Sequence, residues 1–149
     1  LIEAWRADGD YDGPGDPIMP ATPFDDGLLQ CFVRACYRYD NGAIARIPLG
    51  EIVMLGESGL RPVTPEGEPE QAVADTGYPL RGIFLDAWEQ YGGEERLGPP
   101  IAAEMQRGAV RLQYTRYARL EQPAGGSAIR LASLGEEYLG LPGIPYRWQ

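Results

Sequence analysis

Neither histidine nor lysine occurs among the 149 residues. The first absence excludes imidazole-based triads, histidine-ligated zinc or haem, and imidazole proton shuttles. The second removes Schiff-base lysines and the phosphate-binding lysine of P-loop enzymes. Only two cysteines are present, Cys31 and Cys36, too few for a disulfide scaffold. Positive charge is also scarce: 13 basic residues, all arginine, face 22 acidic ones, for a formal net charge of -9. Such a balance repels polyphosphate backbones and anionic headgroups, so neither nucleic acid nor a membrane is expected as a partner. At 44% hydrophobic and 23% charged, the composition is that of an ordinary globular chain of one domain or two small ones. With the common catalytic groups missing, composition leans toward binding or structure.

The two cysteines lie in a stretch, Leu28 to Tyr39, that reads as extended from end to end. A strand rises roughly 3.3 Å per residue, which sets positions five apart about 16 Å from each other and on opposite faces. A disulfide needs Cα atoms within about 7 Å, so these two are not expected to pair unless the strand folds back between them. Buried thiols and a bridge to another chain are the other readings. No neighbouring base is available to make either a nucleophile.

What is present is a duplication. Leu1-Ile2-Glu3-Ala4-Trp5 reappears as Phe84-Leu85-Asp86-Ala87-Trp88, which fixes a register of 83. In it Gly9 meets Gly92, Gly15 meets Gly98, Pro17-Ile18 meets Pro100-Ile101, Leu29-Gln30 meets Leu112-Gln113, and Ala35 meets Ala118. An insertion near Gly125-Gly126 then shifts the register to 85, where Leu49-Gly50-Glu51 matches Leu134-Gly135-Glu136. Each copy begins with a short helical pattern, Leu1 to Ala7 and Ile83 to Gln90, closed by glycine. A rigid Gly/Pro loop follows, Gly13 to Pro17 and Leu97 to Pro100. Then come strand-rich stretches, Leu28 to Tyr39 and Val110 to Leu120, with returning strands Ala43 to Ile47 and Ala128 to Ala132. The first reversal is Asn41-Gly42, a strong hairpin signal, and the second is the longer Pro123 to Ser127. The expected fold is therefore α+β: two tandem repeats, each a short helix, a Gly/Pro loop and an antiparallel β-hairpin. Copy 1 spans 1–55, a Pro/Glu-rich linker 56–76, copy 2 77–140, and an extended apolar tail 141–149. The chain opens at Leu1 without an initiator methionine, as a processed or trimmed product would.

The stretch Phe84-Leu85-Asp86-Ala87-Trp88, then Gly92-Gly93, Leu97-Gly98-Pro99-Pro100-Ile101, and Leu112-Gln113-Tyr114 with Ala118-Arg119 resembles modules repeated in secreted and surface proteins of filamentous, high-GC bacteria. It is also distantly similar to LGFP repeats, which are appended to cell-envelope enzymes and associated with wall-polymer binding. The resemblance covers the second copy well and the first partially, since Asp10, Pro14 and Asp16 depart from the pattern. Its motifs are structural glycines and aromatics, so it implies an extracellular or cell-surface location rather than an activity.

One run carries possible metal chemistry. In Asp8-Gly9-Asp10-Tyr11-Asp12-Gly13-Pro14-Gly15-Asp16 the acids at alternate positions, the glycine at the sixth and the oxygen donor at the ninth, Asp16, match the first part of a calcium loop. The twelfth position, normally a bidentate glutamate, is Met19, so a site made of Asp8, Asp10, Asp12 and Asp16 would be weak, and a solvated acidic turn is the other reading. The acid pairs Asp25-Asp26, Glu94-Glu95 and Glu136-Glu137 read as surface charge rather than as the facing carboxylates of a glycosidase. Trp5 and Trp88 take the core-facing helix position. Tyr11, Tyr91, Tyr146 and Trp148 are freer and are the expected interaction residues. Arg34, Arg38, Arg111, Arg116 and Arg119 line the strands, positioned to pair with acids of a neighbouring unit or of their own chain. The chain thus reads as a non-enzymatic extracellular assembly subunit of the bacterial surface, partnered by itself or by envelope polymer, with Ca2+ as the candidate cofactor. The alternative is a carbohydrate- or wall-binding module of a secreted hydrolase.

Overall fold

A computed structural model describes residues 1–63, 71–72, 78–142 and 144. In chain order its elements are helix α1 (Ile2–Ala7), strands β1 (Thr22–Phe24), β2 (Gly27–Cys31), β3 (Cys36–Asp40) and β4 (Ala43–Arg46), and helix α2 (Leu49–Leu55). Three two-residue strands follow, β5 (Arg61–Pro62), β6 (Gln71–Ala72) and β7 (Pro79–Leu80). Helices α3 (Gly82–Gln90) and α4 (Gly93–Leu97), strands β8 (Met105–Arg107), β9 (Val110–Tyr114), β10 (Arg119–Gln122) and β11 (Arg130–Leu131), and helix α5 (Leu134–Leu139) complete the series. The architecture is mixed: short helices with antiparallel sheets ordered β1-β2-β3-β4 and β11-β10-β9-β8-β5, plus the pair β6-β7. No helix among the described residues is long and apolar enough to cross a membrane. The expected linker lies outside the described residues over 64–70 and 73–76, and so do Gly143 and residues 145–149 of the tail, including Tyr146 and Trp148.

Two compact units form, one from Leu1–Leu49 with Ser133–Gln149, the other from Gly50–Ala132. In the first, the stretch Leu28 to Tyr39 is not one strand. It reverses at Phe32–Ala35, where the Phe32 N–H donates to the Ala35 carbonyl at 2.7 Å. Cys31 and Cys36 become cross-strand partners and form a disulfide with Cα atoms 4.1 Å apart. The fold-back that pairing required is therefore present, and the reading of a continuous strand with separate thiols is corrected. Its cause is tertiary: the N–H groups of Val33 and Arg34 leave the ladder to donate to the carbonyls of Asp16 and Pro14, at 3.0 and 2.8 Å. No glycine, proline or asparagine marks this turn in the sequence. By contrast Asn41-Gly42 turns as its composition predicts, with φ of 48° and 81° at the two positions. A further hairpin, at Asp25-Asp26, adds β1 to the sheet.

The stretch Val110 to Leu120 in the second unit breaks the same way. The Thr115 N–H donates to Ala118 O at 2.9 Å, and Arg116 and Tyr117 donate to the carbonyls of Pro99 and Leu97, each at 3.0 Å. Leu80, Phe84, Leu85, Ala87, Leu97, Ala118 and Leu120 make the unit's apolar cluster, with Trp88, Tyr91, Ile129 and Leu131 packed against it. In the first unit the corresponding cluster is Phe32, Ala35 and Tyr37, covered by Leu1, Ala4 and Trp5.

A glycine-bearing helix seats on each of these turns. A Cβ on Gly135 of α5 would lie 1.8 Å from the Phe32 carbonyl oxygen, and one on Gly50 of α2 would lie 1.8 Å from that of Thr115. Close approach of helix and turn backbones requires glycine at both positions. Residues 50–55, read as the end of copy 1, thus belong to the second unit, and residues 133–140, read as the end of copy 2, belong to the first.

Candidate functional site

The acidic run and the exposed aromatics of the first unit come together after α1. The helix ends at Ala7, and the chain turns through Gly9 and Asp10 at φ of 107° and 45°. Three side chains hold the loop. The Trp5 indole donates to Gly15 O at 2.8 Å, and the Arg34 guanidinium donates to Gly13 O and Tyr11 O at 2.6 and 2.7 Å. Tyr37 donates its hydroxyl to the Asp8 carboxylate, which also lies 3.8 Å from Arg46. Burial pushes the Tyr37 hydroxyl pKa well above the ordinary tyrosine value, and the bond to Asp8 and the negative charge there add to the rise; Arg46 opposes it.

The four acids proposed as metal ligands thus have different surroundings. Asp8 faces Tyr37 and Arg46, and Asp10 accepts the N–H of Tyr11. Asp12 and Asp16 are exposed. Among the described residues no group of three or more His, Cys, Asp or Glu converges on one point.

Beside this loop lies a groove of about 400 Å³ lined by Leu1, Ile2, Trp5, Tyr11, Pro17, Gln30 and Phe32. Tyr11, 63% exposed, meets the Trp5 ring edge-on at 4.9 Å, and Phe32 stacks on Trp5 at 6.1 Å. Such a surface offers apolar area and ring faces, with the Gln30 amide as a polar handle. Trp5 is half-buried and spends its N–H within its own loop; Trp88 does the same, donating to Gly98 O at 3.0 Å. Tyr91, expected at an interaction surface, packs on the second unit's cluster and donates its hydroxyl to Ile129 O at 3.1 Å.

The second unit contains a charge network that sequence reading did not resolve. Arg119, with 5% of its side chain exposed, donates to Glu121 at 2.7 Å and to the Tyr114 hydroxyl at 3.0 Å. Tyr114 in turn donates to Glu57 at 2.5 Å, and Glu57 also accepts from Arg107. Arg130 reaches Glu121 at 3.1 Å, and Arg111 reaches the buried Glu104 at 2.7 Å. Burial, then the bond to Glu57, raises the Tyr114 pKa far above its ordinary value, with Arg119 opposing. Four of the strand arginines find acids of their own chain: Arg111 and Arg119 as above, Arg116 with Glu51 at 3.3 Å and Arg38 with Asp25 at 3.4 Å; Arg34 instead donates to the Gly13 and Tyr11 carbonyls. The alternation of Arg and Glu at 119 and 121 was the available signal; Glu57 sits too far away in sequence to be matched to it. Of the acid pairs, Asp26, Glu94, Glu95, Glu136 and Glu137 are exposed. The buried carboxylates, Glu104 and Glu121, are neutralised in arginine pairs, an arrangement that orders a core.

No protein-family model and no curated protein matches the chain.

Proposed function

We propose that the chain is a non-enzymatic extracellular assembly subunit of a bacterial surface, built from two copies of one helix, loop and hairpin module related to the LGFP-like repeats. The observation that carries the assembly reading is strand β4. It forms an outer edge of its sheet, and Ala43, Ile44 and Ala45 are all exposed. Ile44 and its register partner Tyr39 are 40% and 39% exposed, an apolar pair on a strand that has a neighbour on one side only among the described residues. Edges of this kind template strand addition unless proline or charge protects them. The opposite edge, β1, is three residues long and contains Pro23.

Support for duplication comes from hydrogen bonds that recur 83 residues apart. Trp5 to Gly15 O corresponds to Trp88 to Gly98 O, and Gln30 to Met19 O corresponds to Gln113 to Ala102 O. Ile18 to Cys31 O corresponds to Ile101 to Tyr114 O. The Cys31–Cys36 disulfide belongs to a chain at home in an oxidising compartment, which supports the extracellular location. Calcium at Asp8, Asp10, Asp12 and Asp16 is part of the same reading.

Sedimentation velocity and negative-stain microscopy, with and without calcium, test it. Polymers that Ile44→Arg disperses are expected; monomers at every concentration would refute assembly. The second reading, a wall-polymer-binding module, is favoured by the Trp5–Tyr11 groove and would appear as retention on peptidoglycan by a monomeric chain.

A further inference from the structure

The second unit holds a cavity of about 280 Å³ lined, among the described residues, by residues 81–84 and by Glu104, Arg111 and Gln122. Arg81 stands immediately before α3, and its Nε–H is buried with no hydrogen-bond acceptor among the described residues. Every other described arginine that is at least partly buried has one. Arg34 donates to carbonyls, and Arg38, Arg46, Arg107, Arg111 and Arg119 meet carboxylates. No acidic residue lies in the first turn of α3 to serve Arg81. The one carboxylate in the cavity wall, Glu104, is 6% exposed and is engaged by Arg111 at 2.7 Å. A charged donor withdrawn from water without an acceptor is costly, so one that lines an open cavity points to an acceptor arriving from outside.

The hairpin itself does not need these polar groups. Eighty-three residues before Glu104, Arg111 and Gln122 stand Ala21, Leu28 and Tyr39 of the first unit. Leu28 is the register partner of Tyr39 as Arg111 is of Gln122, so a hairpin of this kind forms without the charges.

We propose that the cavity binds one small organic carboxylate, its two oxygens on the Nε and Nη donors of Arg81 and its short apolar body against Ile83. A guanidinium edge made of Nε and one Nη matches both oxygens of a carboxylate in a single plane. Two guanidinium groups and one carboxylate leave a single positive charge to balance, which selects a monoanion, and the buried Glu104 repels a second negative charge. The volume is at the lower end for small-molecule sites, which limits the ligand to an acid of a few carbons. With a net charge of -9 the chain disfavours loose anion binding elsewhere, so a saturable response reports this site. The proposal goes beyond the assembly reading and stands without it.

Propionate titrated into the nitrogen-15-labelled full chain, followed by heteronuclear NMR, tests it. Saturable shifts of the Arg81 Nε–H and the Ile83 amide are expected, with half-saturation at about 1–10 mM, as for a single charge-assisted pair. Propionamide, the neutral counterpart, and inorganic phosphate should each bind more weakly by about tenfold or more. Arg81→Met should weaken propionate binding to a similar degree, and Arg81→Lys, which keeps the charge but not the planar fork, should fall between the two. Ile83→Glu, at a position 43% exposed, supplies a carboxylate from the chain itself and should abolish propionate binding with the circular dichroism spectrum unchanged. That variant keeps the proposal testable if Arg81→Met fails to fold. No saturation below about 100 mM propionate, equal binding of propionamide or phosphate, or binding indifferent to Arg81→Met or Ile83→Glu would each overturn the proposal.

Discussion

Replacing Gly135 by alanine sets local propensity against tertiary contact, and the two predict opposite signs. Inside a helix, alanine is more favourable than glycine by about 1 kcal/mol. At Gly135, however, the new methyl would sit 1.8 Å from the Phe32 carbonyl oxygen and 2.9 Å from that of Val33. Both neighbours are backbone, so the helix must back away from the turn. Such overpacking costs about 1–3 kcal/mol. Retreat also breaks the bond from the Gly135 N–H to Val33 O, 2.9 Å long, worth about 1 kcal/mol. The net expectation is a loss of about 1–3 kcal/mol. Gly140, at the end of the same helix, is the control: its φ is -81°, and an added Cβ meets nothing closer than 3.4 Å. Gly140→Ala should be neutral or stabilising by up to about 1 kcal/mol. Urea unfolding of both variants, followed by circular dichroism, reads the difference as a lower midpoint for Gly135→Ala alone. A Gly135→Ala midpoint equal to or above that of the parent would show that α5 does not seat on the Phe32 turn. Gly50→Ala probes the Thr115 turn by the same logic.

Three other outcomes follow from the structure. Replacing Cys31 and Cys36 together by alanine should lower stability by about 2 kcal/mol, the loop-closure contribution for so short a loop, and alkylation of the unreduced parent should label no thiol. Arg119→Met should destabilise the second unit by about 3 kcal/mol, because it leaves the buried Glu121 to the mostly exposed Arg130 and removes the donor to the Tyr114 hydroxyl, whereas Arg130→Met, at a side chain 60% exposed, should cost under about 1 kcal/mol; chemical denaturation of both variants ranks them. In a spectrophotometric titration at 295 nm Tyr37 and Tyr114 should remain protonated at pH values above the ordinary tyrosine pKa of about 10. Their folded-state pKa values are raised, so the unfolded chain releases these protons first and stability should fall as pH rises above about 10; a flat stability profile from pH 9 to 11 would contradict the buried bonds to Asp8 and Glu57.

Features governed by local chemistry were legible in the residues. Asn41-Gly42 turns because both positions tolerate positive φ, and the helical spacing around Trp5 and Trp88 needs only neighbours a few residues away. The fold-backs at Phe32–Ala35 and Thr115–Ala118 were not legible. Their residues favour strand, and the turns exist because carbonyls some twenty residues upstream capture the turn N–H groups. The aromatic loop was half legible: Tyr11 could be named as exposed, whereas the clamp by Arg34 depends on that same unforeseen turn.

Sequence alone established the charge balance, the missing imidazole and amine chemistry, and the spacing that repeats Trp, Gly and Pro, since these are properties of composition and order. Tertiary structure alone decided that Cys31 meets Cys36, that Arg119 and Glu121 share a buried network with Glu57, and that each turn receives its glycine-bearing helix from the far side of the supposed copy boundary. Those outcomes depend on which backbone groups find partners across long stretches of chain, and hydrogen-bond demand of that kind leaves no periodic mark in the residues themselves.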